Sequence, residues 1–462
     1  MTTPPTTQHN TFLEGPLPAL FVRTTAPIVL IMAMNGLQTV IDAYFLGEFV
    51  GAFALSAVTL MFPVYMLLVA LATLVAGGMA SVLARRLGAA DFDGARAAFV
   101  GAHTLALLVC AALIAGFALG GTVLADWLAN GSAELARDGY RYISILIWFS
   151  PVMFVLSINS DALRCEGRMG LMAAVSLVTS SANIVFNYLL IVVFDYGVAG
   201  SAAGTVAAMM MAFAAVLVFR LGAATPLKLS LLKAETWRHG WREFLALGTP
   251  QSLTFLGISL GSGATIAMIQ AWGGDGYAET VAAYGIATRV LTFTYLPLLG
   301  LSMALQTIAG NNFGAGLWHR SDASLRLAVS VAFVFCASVQ LSLLLARHTV
   351  GTIFVDDPAT VSELARILPI ITAAYFIAGP LMILAGYFQA IGDATRTAVL
   401  NLSRTYLFAI PLTLALPPLL GEPGIWLGAP LSELLALSLA VMVLAHRQAT
   451  TGRRWGVFHQ QA

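Results

Sequence analysis

The chain has 462 residues, of which 59% are apolar and only 10% are Asp, Glu, Lys or Arg, and its mean hydropathy is +0.86. This composition excludes a soluble fold, because a soluble protein of this length must enclose its core in a polar shell. The net charge is +1, so there is no basic excess of the kind that indicates nucleic acid as a partner.

Apolar runs of about 20 residues, the length that crosses a bilayer as an α-helix, follow one another along the chain. A polar stretch near the middle separates six runs from another six. The predicted spans are residues 24–46, 49–84, 97–125, 142–160, 169–194 and 196–219, then 244–273, 280–310, 327–346, 367–390, 397–420 and 423–446. We therefore predict an all-α polytopic protein that lies in the lipid bilayer with twelve transmembrane helices.

The same pattern predicts the domain organisation. It consists of a cytoplasmic N-terminal tail 1–23, an N-terminal six-helix lobe 24–220, a cytoplasmic linker 221–243, a C-terminal six-helix lobe 244–446 and a cytoplasmic C-terminal tail 447–462.

The orientation follows from the basic residues, which concentrate in cytoplasmic loops. Of the 23 Lys and Arg residues, 17 fall on the side of the N-terminus and four on the other side, while Arg289 and Arg404 lie within spans. The four on the other side are Arg137, Arg141, Arg347 and Arg366. This asymmetry predicts that both termini are cytoplasmic.

Similar residues recur in the two halves at a nearly constant distance. Gly167 and Gly392 are 225 residues apart, and Met79 and Met303 are 224 apart. Since six spans separate equivalent points, the sequence predicts two parallel repeats related by an axis along the membrane normal. Transporters built in this way bind their substrates at the repeat interface near mid-membrane.

Charged residues inside spans are costly and therefore need an explanation. Asp161 lies three residues before Arg164, at the inner end of the fourth span, which predicts an ion pair between them. Mutual neutralisation accounts for Arg404 and Glu433, in the last two spans, and we predict a structural ion pair there. Arg289 either stabilises the second lobe or contacts substrate.

Asp42 is the charge of greatest interest. Asn35 lies two helical turns before it and shares its face, and Pro27 could bend this first helix. Asp42 either reaches the outer headgroups or faces a cavity, where a buried carboxylate can serve as a proton carrier.

Polar residues in the fifth and sixth spans could complete a site with Asp42. Asn183 and Asn187 are one helical turn apart, and Thr205 supplies a hydroxyl. Such residues often only join helices by hydrogen bonds. Together with one carboxylate, they could instead form an oxygen-rich cation or proton site.

Short motifs occur in a fixed order along the chain. They are Asp42-Ala-Tyr-Phe-Leu-Gly47, Arg85-Arg-Leu-Gly-Ala89, Leu163-Arg-Cys-Glu-Gly167, Gly197-Val-Ala-Gly-Ser-Ala-Ala-Gly-Thr205, Ala309-Gly-Asn-Asn-Phe-Gly-Ala-Gly316, Phe388-Gln-Ala-Ile-Gly-Asp393, and Arg404 followed by Ile410-Pro-Leu412. In order and spacing, the chain resembles the MATE family of multidrug and toxic compound extrusion antiporters, of the MOP superfamily, over nearly its whole length. The prokaryotic DinF-like branch is the most similar.

The resemblance implies a coupling site in the first lobe. Its members are Asp42 as the coupling carboxylate with Asn35, Asn183 and Thr205, and Asn159 as a fourth-span asparagine. Two departures matter. Asn187 stands where related proteins often have a second aspartate, which disfavours sodium. The seventh and tenth spans also lack the carboxylate of the NorM-like branch.

The expected function is secondary antiport that exports amphipathic, cationic drugs or toxic metabolites in exchange for protons, across the bacterial inner membrane. The protein is expected to be a monomer, to be no enzyme and to need no cofactor. A sodium ion held by Asp42, Asn183, Asn187 and Thr205 is the alternative coupling ion. A lipid-linked oligosaccharide flippase is a second alternative, and an intramembrane enzyme or receptor a third.

Overall fold

The computed structural model describes residues 10–129, 132–222, 225–227, 238–272, 276–452 and 454–458. Parts of the predicted tails and of the linker therefore lie outside the described residues, namely residues 1–9, 223–224, 228–237, 453 and 459–462. The described parts of the chain are helical apart from their turns and short connections.

Counted over the described residues, the α-helices number eight in the first half and nine in the second. Those of the first half are α1 Leu17–Phe45, α2 Ala52–Leu60, α3 Phe62–Gly88, α4 Phe92–Leu128, α5 Ala133–Trp148, α6 Ser150–Cys165, α7 Met169–Asn187 and α8 Gly197–Gly222. Two helices end in π-helical turns, α1 at Leu46–Val50 and α7 at Tyr188–Val193.

The helices of the second half are α9 Trp241–Trp272, α10 Tyr277–Gly314, α11 Trp318–Leu345, α12 Pro358–Ile371, α13 Tyr375–Ala390, α14 Ala394–Leu402, α15 Ile410–Ala415, α16 Pro417–Leu420 and α17 Pro423–Thr451. A π-helical turn, Ser403–Ala409, joins α14 to α15, and residues 394–420 together form one span.

Twelve spans are present when two bent helix pairs are counted as one span each. Within the described residues, ten helices are long and apolar enough to cross a membrane alone. The pairs α5 with α6 and α12 with α13 are bent by 50° and 51°. Large apolar side chains are exposed on the outer helices, as at Leu119, Leu345 and Val441, which suits contact with lipid. The predicted all-α, twelve-helix fold is confirmed.

The first two spans differ from the predicted runs. α1 begins at Leu17, seven residues before the predicted start, and Pro16 precedes its first turn. The run 49–84 is interrupted at Gly51, whose φ of 114° is accessible mainly to glycine. The short α2 follows, and α3 then extends to Gly88 because its last, basic turn continues beyond the apolar segment.

The two halves repeat each other in geometry. The bent spans begin at Ala133 and Pro358, which are 225 residues apart, and end at Cys165 and Ala390, again 225 apart. A proline lies near each break, Pro151 or Pro369, where the missing N–H interrupts the helical hydrogen bonds. The breaks are thus inherited features of a duplicated unit.

A reciprocal backbone contact joins the lobes where α3 and α10 cross. A Cβ built on Gly88 would lie 2.0 Å from the carbonyl oxygen of Asn311, and a Cβ on Gly314 would lie 2.0 Å from that of Arg85. Both glycines and both carbonyls are 226 residues apart (88 and 314, 85 and 311). Each helix therefore makes the same contact with the other, as a two-fold axis requires.

The first and last described residues, Asn10 and Phe458, lie at the same end of the molecule as this contact, which we call the tail end. Phe12 is buried, and the side chain of Asn10 donates to Asn311 Oδ1 at 2.8 Å. Arg320, at the start of α11, donates to the carbonyl oxygens of Glu14 and Gly15 at 2.9 and 2.7 Å. The N-terminal segment thereby covers the junction of the lobes.

Candidate functional site

The carboxylate of Asp42 lies against the end of α7. Asn187 Nδ2 donates to Asp42 Oδ1 at 2.5 Å and to Asn183 Oδ1 at 3.3 Å. Asn183 Nδ2 donates in turn to Thr205 Oγ1 at 3.1 Å. The structure therefore brings together four of the predicted site residues in one hydrogen-bonded chain across α1, α7 and α8.

The two asparagines of this chain of polar groups are buried, and Asp42 and Thr205 are half-buried. Asn183 and Asn187 have no exposed surface. Among the described residues, no lysine or arginine forms an ion pair with Asp42. A carboxylate so placed has only hydrogen bonds to stabilise its charge, which makes uptake of a proton or cation chemically favourable.

Two glycines on α8 allow this helix to pack closely against the end of α7. Gly200 lies under the carbonyl of Leu190 in the π-helical turn, and Gly204 lies under the side chain of Asn187. The two glycines are one helical turn apart, the spacing that lets membrane helices pack closely. This explains the glycines of the Gly197–Thr205 motif.

Asn35 does not reach Asp42 in this structure. It is exposed, and only its backbone carbonyl takes part in a described hydrogen bond, from Thr39 Oγ1 at 3.1 Å. Its side chain lines the cavity between the lobes, beside Ser157 and Ser160. Pro27 lies within α1, which runs on through it as a single span.

Asn159 belongs to a different cluster. Its amide nitrogen lies 3.2 Å from His103 Nε2, and its oxygen accepts from Arg220 Nε at 3.1 Å. Arg220 also donates to both oxygens of Glu166 at 2.9 Å. The predicted place of Asn159 beside Asp42 therefore does not match the structure, because its face of α6 points toward α4 and α8.

The ion pair of Arg404 and Glu433 is present in the second lobe. Arg404 Nε donates to Glu433 Oε1 at 2.8 Å, and Nη2 donates to the same oxygen. Glu433 Oε2 is buried without a hydrogen-bond partner in the described part of the chain. Arg289 is exposed on α10 and lies apart from this pair.

An open cavity of about 340 Å³ lies between the lobes. Met32, Thr73 and Ser160 line it from the first lobe, and Gln251 and Phe255 line it from the second. Its walls are mostly apolar, with a few polar groups, as in sites for small organic molecules. The cavity thus lies where duplicated transporters bind substrate.

Arg164 was predicted as the partner of Asp161, but its contact with the other lobe was not. Arg164 Nη2 donates to Asp161 Oδ1 at 2.9 Å, while Nη1 donates to Thr307 Oγ1 at 2.7 Å on α10. Counting basic residues placed Arg164 and Arg220 in loops, although both side chains are buried. Asp161, three residues away, was a local signal for Arg164, whereas Glu166 lies 54 residues before Arg220 in the sequence, so no local signal marked that pair.

Two six-helix repeats, a half-buried carboxylate without a basic ion-pair partner among the described residues, and a cavity at the repeat interface define a membrane transporter rather than an enzyme. The sequence profile of the MatE family matches residues 27–189 and 250–414, one segment in each half. The chain belongs to the MatE family.

Individual relatives agree with this assignment. The chain is 22% identical over 448 residues to the multidrug export protein MepA of Staphylococcus aureus, with 94% of each chain covered. It is 25% identical over 450 residues to an FAD transporter of Shewanella oneidensis, with 94% of this chain and 96% of the relative covered.

The fold agrees as well. A solved structure described as the outward-facing conformation of a multidrug resistance MATE family transporter of the MOP superfamily superimposes with a TM-score of 0.86. That comparison covers 96% of this chain and 99% of the other, at 22% identity.

Proposed function

We propose that this transporter is an antiporter that exports amphipathic cationic compounds in exchange for protons, with Asp42 as the coupling carboxylate. The observation that carries the proposal is the 2.5 Å hydrogen bond between Asn187 and Asp42, in a buried site without a basic partner among the described residues. The similarity to a multidrug export protein supports the substrate class.

The amide of Asn187 suits both protonation states of Asp42. In one orientation its Nδ2 donates to the carboxylate; rotated by 180° about its last torsion, its Oδ1 accepts from the protonated acid. An ionised aspartate in its place could not donate to a carboxylate. The site thus exchanges a proton without losing its hydrogen bond.

A sodium ion is the alternative coupling ion. Asp42, Asn183, Asn187 and Thr205 all offer oxygen atoms, but they include a single carboxylate. Charge compensation of a metal cation is weaker here than in a site with two. We therefore favour the proton.

The orientation follows from the basic residues. With the tail end in the cytoplasm of a bacterium, the contacts of Gly88 and Gly314 close the inner side of the cavity. Protonation of Asp42 removes a charge from the packed ends of α1 and α7. A proton that binds one conformation more tightly than the other shifts the equilibrium between them, and alternating access requires such a difference in affinity.

The relative named as an FAD transporter suggests organic anions as a second substrate class, since FAD is an anion. Within the part of the chain that the structure describes, Arg164 is the only basic residue that lines the cavity between the lobes. Its N–H groups all donate to protein acceptors and leave none for an anionic ligand, which favours a cationic substrate.

A lipid-flipping assay tests the alternative that the protein is a lipid-linked oligosaccharide flippase.

The direct test is efflux of a fluorescent cation from proteoliposomes under an imposed proton or sodium gradient. We expect a proton gradient to drive efflux and a sodium gradient alone to fail. Asp42→Asn should abolish gradient-driven efflux while the purified variant still binds the dye. If Asp42→Asn exports like the parent, the mechanism is wrong.

A further inference from the structure

We propose that Asp161 is the anionic anchor for substrates that carry an N–H-bearing cationic group, at the centre of the cavity between the lobes. The proposal rests on the proposed export of cations and names the group that would recognise them. Of the described residues that line this cavity, only Asp161 and Arg164 are charged. They are therefore the two candidates for binding a charged ligand.

Arg164 has no donor left for a ligand. A guanidinium has five N–H groups. Nε and Nη2 donate to Asp161 Oδ1 at 3.3 and 2.9 Å, and Nη2 also donates to Gln306 Oε1 at 3.2 Å. Nη1 donates to the carbonyl of Met303 at 2.8 Å and to Thr307 Oγ1 at 2.7 Å. All five groups are thus used, and the side chain is 1% exposed.

Asp161 is in the opposite situation. Both bonds from Arg164 reach Oδ1, and Oδ2 accepts no described hydrogen bond. The side chain of Asp161 is 13% exposed, into the cavity. A carboxylate offers about four acceptor positions over its two oxygens. The charged atom that the cavity presents to a ligand is therefore a carboxylate oxygen.

The surroundings define the ligand further. Ser157 and Ser160 line the cavity on the same helix, and Met32, Phe255 and Leu299 supply apolar walls. A protonated amine or amidinium can donate to Oδ2, while an aromatic body packs on these walls. A cation without an N–H group, or a neutral molecule, gains the walls but not the hydrogen bond.

Asp161 also orients Arg164, so the test must separate anchoring from structure. Asp161→Asn keeps the shape of the side chain but leaves the buried Arg164 without a counter-charge. The double variant Asp161→Asn with Arg164→Gln removes both charges and leaves no unpaired one. Asp126→Asn, an exposed carboxylate on α4 that does not line the cavity, is the matched control.

The experiment measures dye binding to the purified full chain in lipid nanodiscs. The probes are rhodamine 6G, a cation with N–H groups, and Nile red, which is neutral. We expect both Asp161 variants to weaken rhodamine 6G binding by roughly tenfold or more, the effect of one charge-assisted hydrogen bond. Nile red binding should change little, and Asp126→Asn should behave like the parent with both probes.

Three outcomes would overturn the anchor role. They are rhodamine 6G binding by the double variant at the strength of the parent, equal loss of both probes in the double variant, and no binding of rhodamine 6G by the parent. Proteoliposome efflux separates the two proposals. A parent that binds the dye through Asp161 but does not export it would refute the proposed function and leave the binding site standing.

Discussion

Gly204 lies so close to Asn187 that a Cβ built on it would come within 2.3 Å of Asn187 Oδ1. Because Gly204 has no side chain, the amide of Asn187 can reach Asp42. Gly204 on α8 therefore sets the geometry of a hydrogen bond between α1 and α7.

Replacing Gly204 by alanine should therefore disrupt coupling. The added methyl group must push Asn187 away, and displacements of this size near reacting groups cost roughly 10- to 100-fold in rate. We expect proton-driven efflux to fall by that factor, measured in proteoliposomes. Gly222→Ala, also on α8 but in open space, is the control, and equal loss in both variants would contradict this account.

Asn187→Asp tests the choice of coupling ion. The substitution places a second carboxylate against Asp42, which raises the affinity of the site for a metal cation. We expect efflux from proteoliposomes to become responsive to a sodium gradient, with the parent as the reference. A variant that stays purely proton-driven would show that the charge of residue 187 does not select the ion.

The buried pair of Arg220 and Glu166 should contribute to stability. Both side chains are almost fully buried, at 0% and 3% exposure. Arg220→Met leaves Glu166 buried without its partner, at a cost of about 3–5 kcal/mol. We expect a clear drop in the melting temperature of the purified protein.

Adding Glu166→Gln to Arg220→Met should recover much of that loss, because no unpaired charge is left. Thermal unfolding of the parent, Arg220→Met, Glu166→Gln and the double variant forms a double-mutant cycle. If the double variant were no more stable than Arg220→Met, the stabilisation would not come from charge pairing.

The pair of Arg404 and Glu433 is predicted to be structural. Arg404→Gln alone should destabilise the second lobe, whereas Arg404→Gln with Glu433→Gln should restore the melting temperature and keep most of the efflux. Both are measured on the same preparations. A double variant that melts like the parent but does not transport would assign the pair a role in coupling instead.

Asp91 should give a pH-dependent contribution to stability. Its carboxylate caps α4 by accepting from the N–H of Gly94 at 2.9 Å and from Arg86 at 2.6 Å. These bonds, the one from Gly94 foremost, lower the pKa of Asp91 below its ordinary value. The stabilisation is thus complete above about pH 4 and disappears as the pH falls through the lowered pKa.

Comparing the parent with Asp91→Asn measures this contribution. The carboxylate is partly exposed, so we expect a difference of at most about 1 kcal/mol at neutral pH. The melting temperatures of the two proteins should converge in strong acid. A difference that grew with acidity would contradict the sign of the effect.

Hydropathy and charge asymmetry were sufficient to predict the fold, because each span must be apolar over its whole length. They could not locate the breaks in the bent spans, since Phe149 and Ala374 are as apolar as their neighbours. Gly51 interrupted the predicted run 49–84, which contains no charged residue. Backbone conformation, rather than hydropathy, determined these boundaries.

The site was only partly predictable for a similar reason. Spacing on one helix placed Asn183 and Asn187 on a common face, and in the structure Asn187 donates both to Asp42 and to Asn183. Spacing could not decide which neighbouring helix a face meets. The family resemblance placed Asn159 beside Asp42, although it faces His103 and Arg220. The Asp161–Arg164 pair was local and predictable, whereas the bonds of Arg164 to α10 are not local.

The reciprocal contacts of Gly88 with Asn311 and of Gly314 with Arg85 have a consequence for how this chain can change. A surface that meets its own copy across a two-fold axis needs only one gene to encode both sides. In a six-helix precursor, one mutation would have altered both halves of the interface together. After fusion each half mutates alone, and in this chain both positions are still glycine.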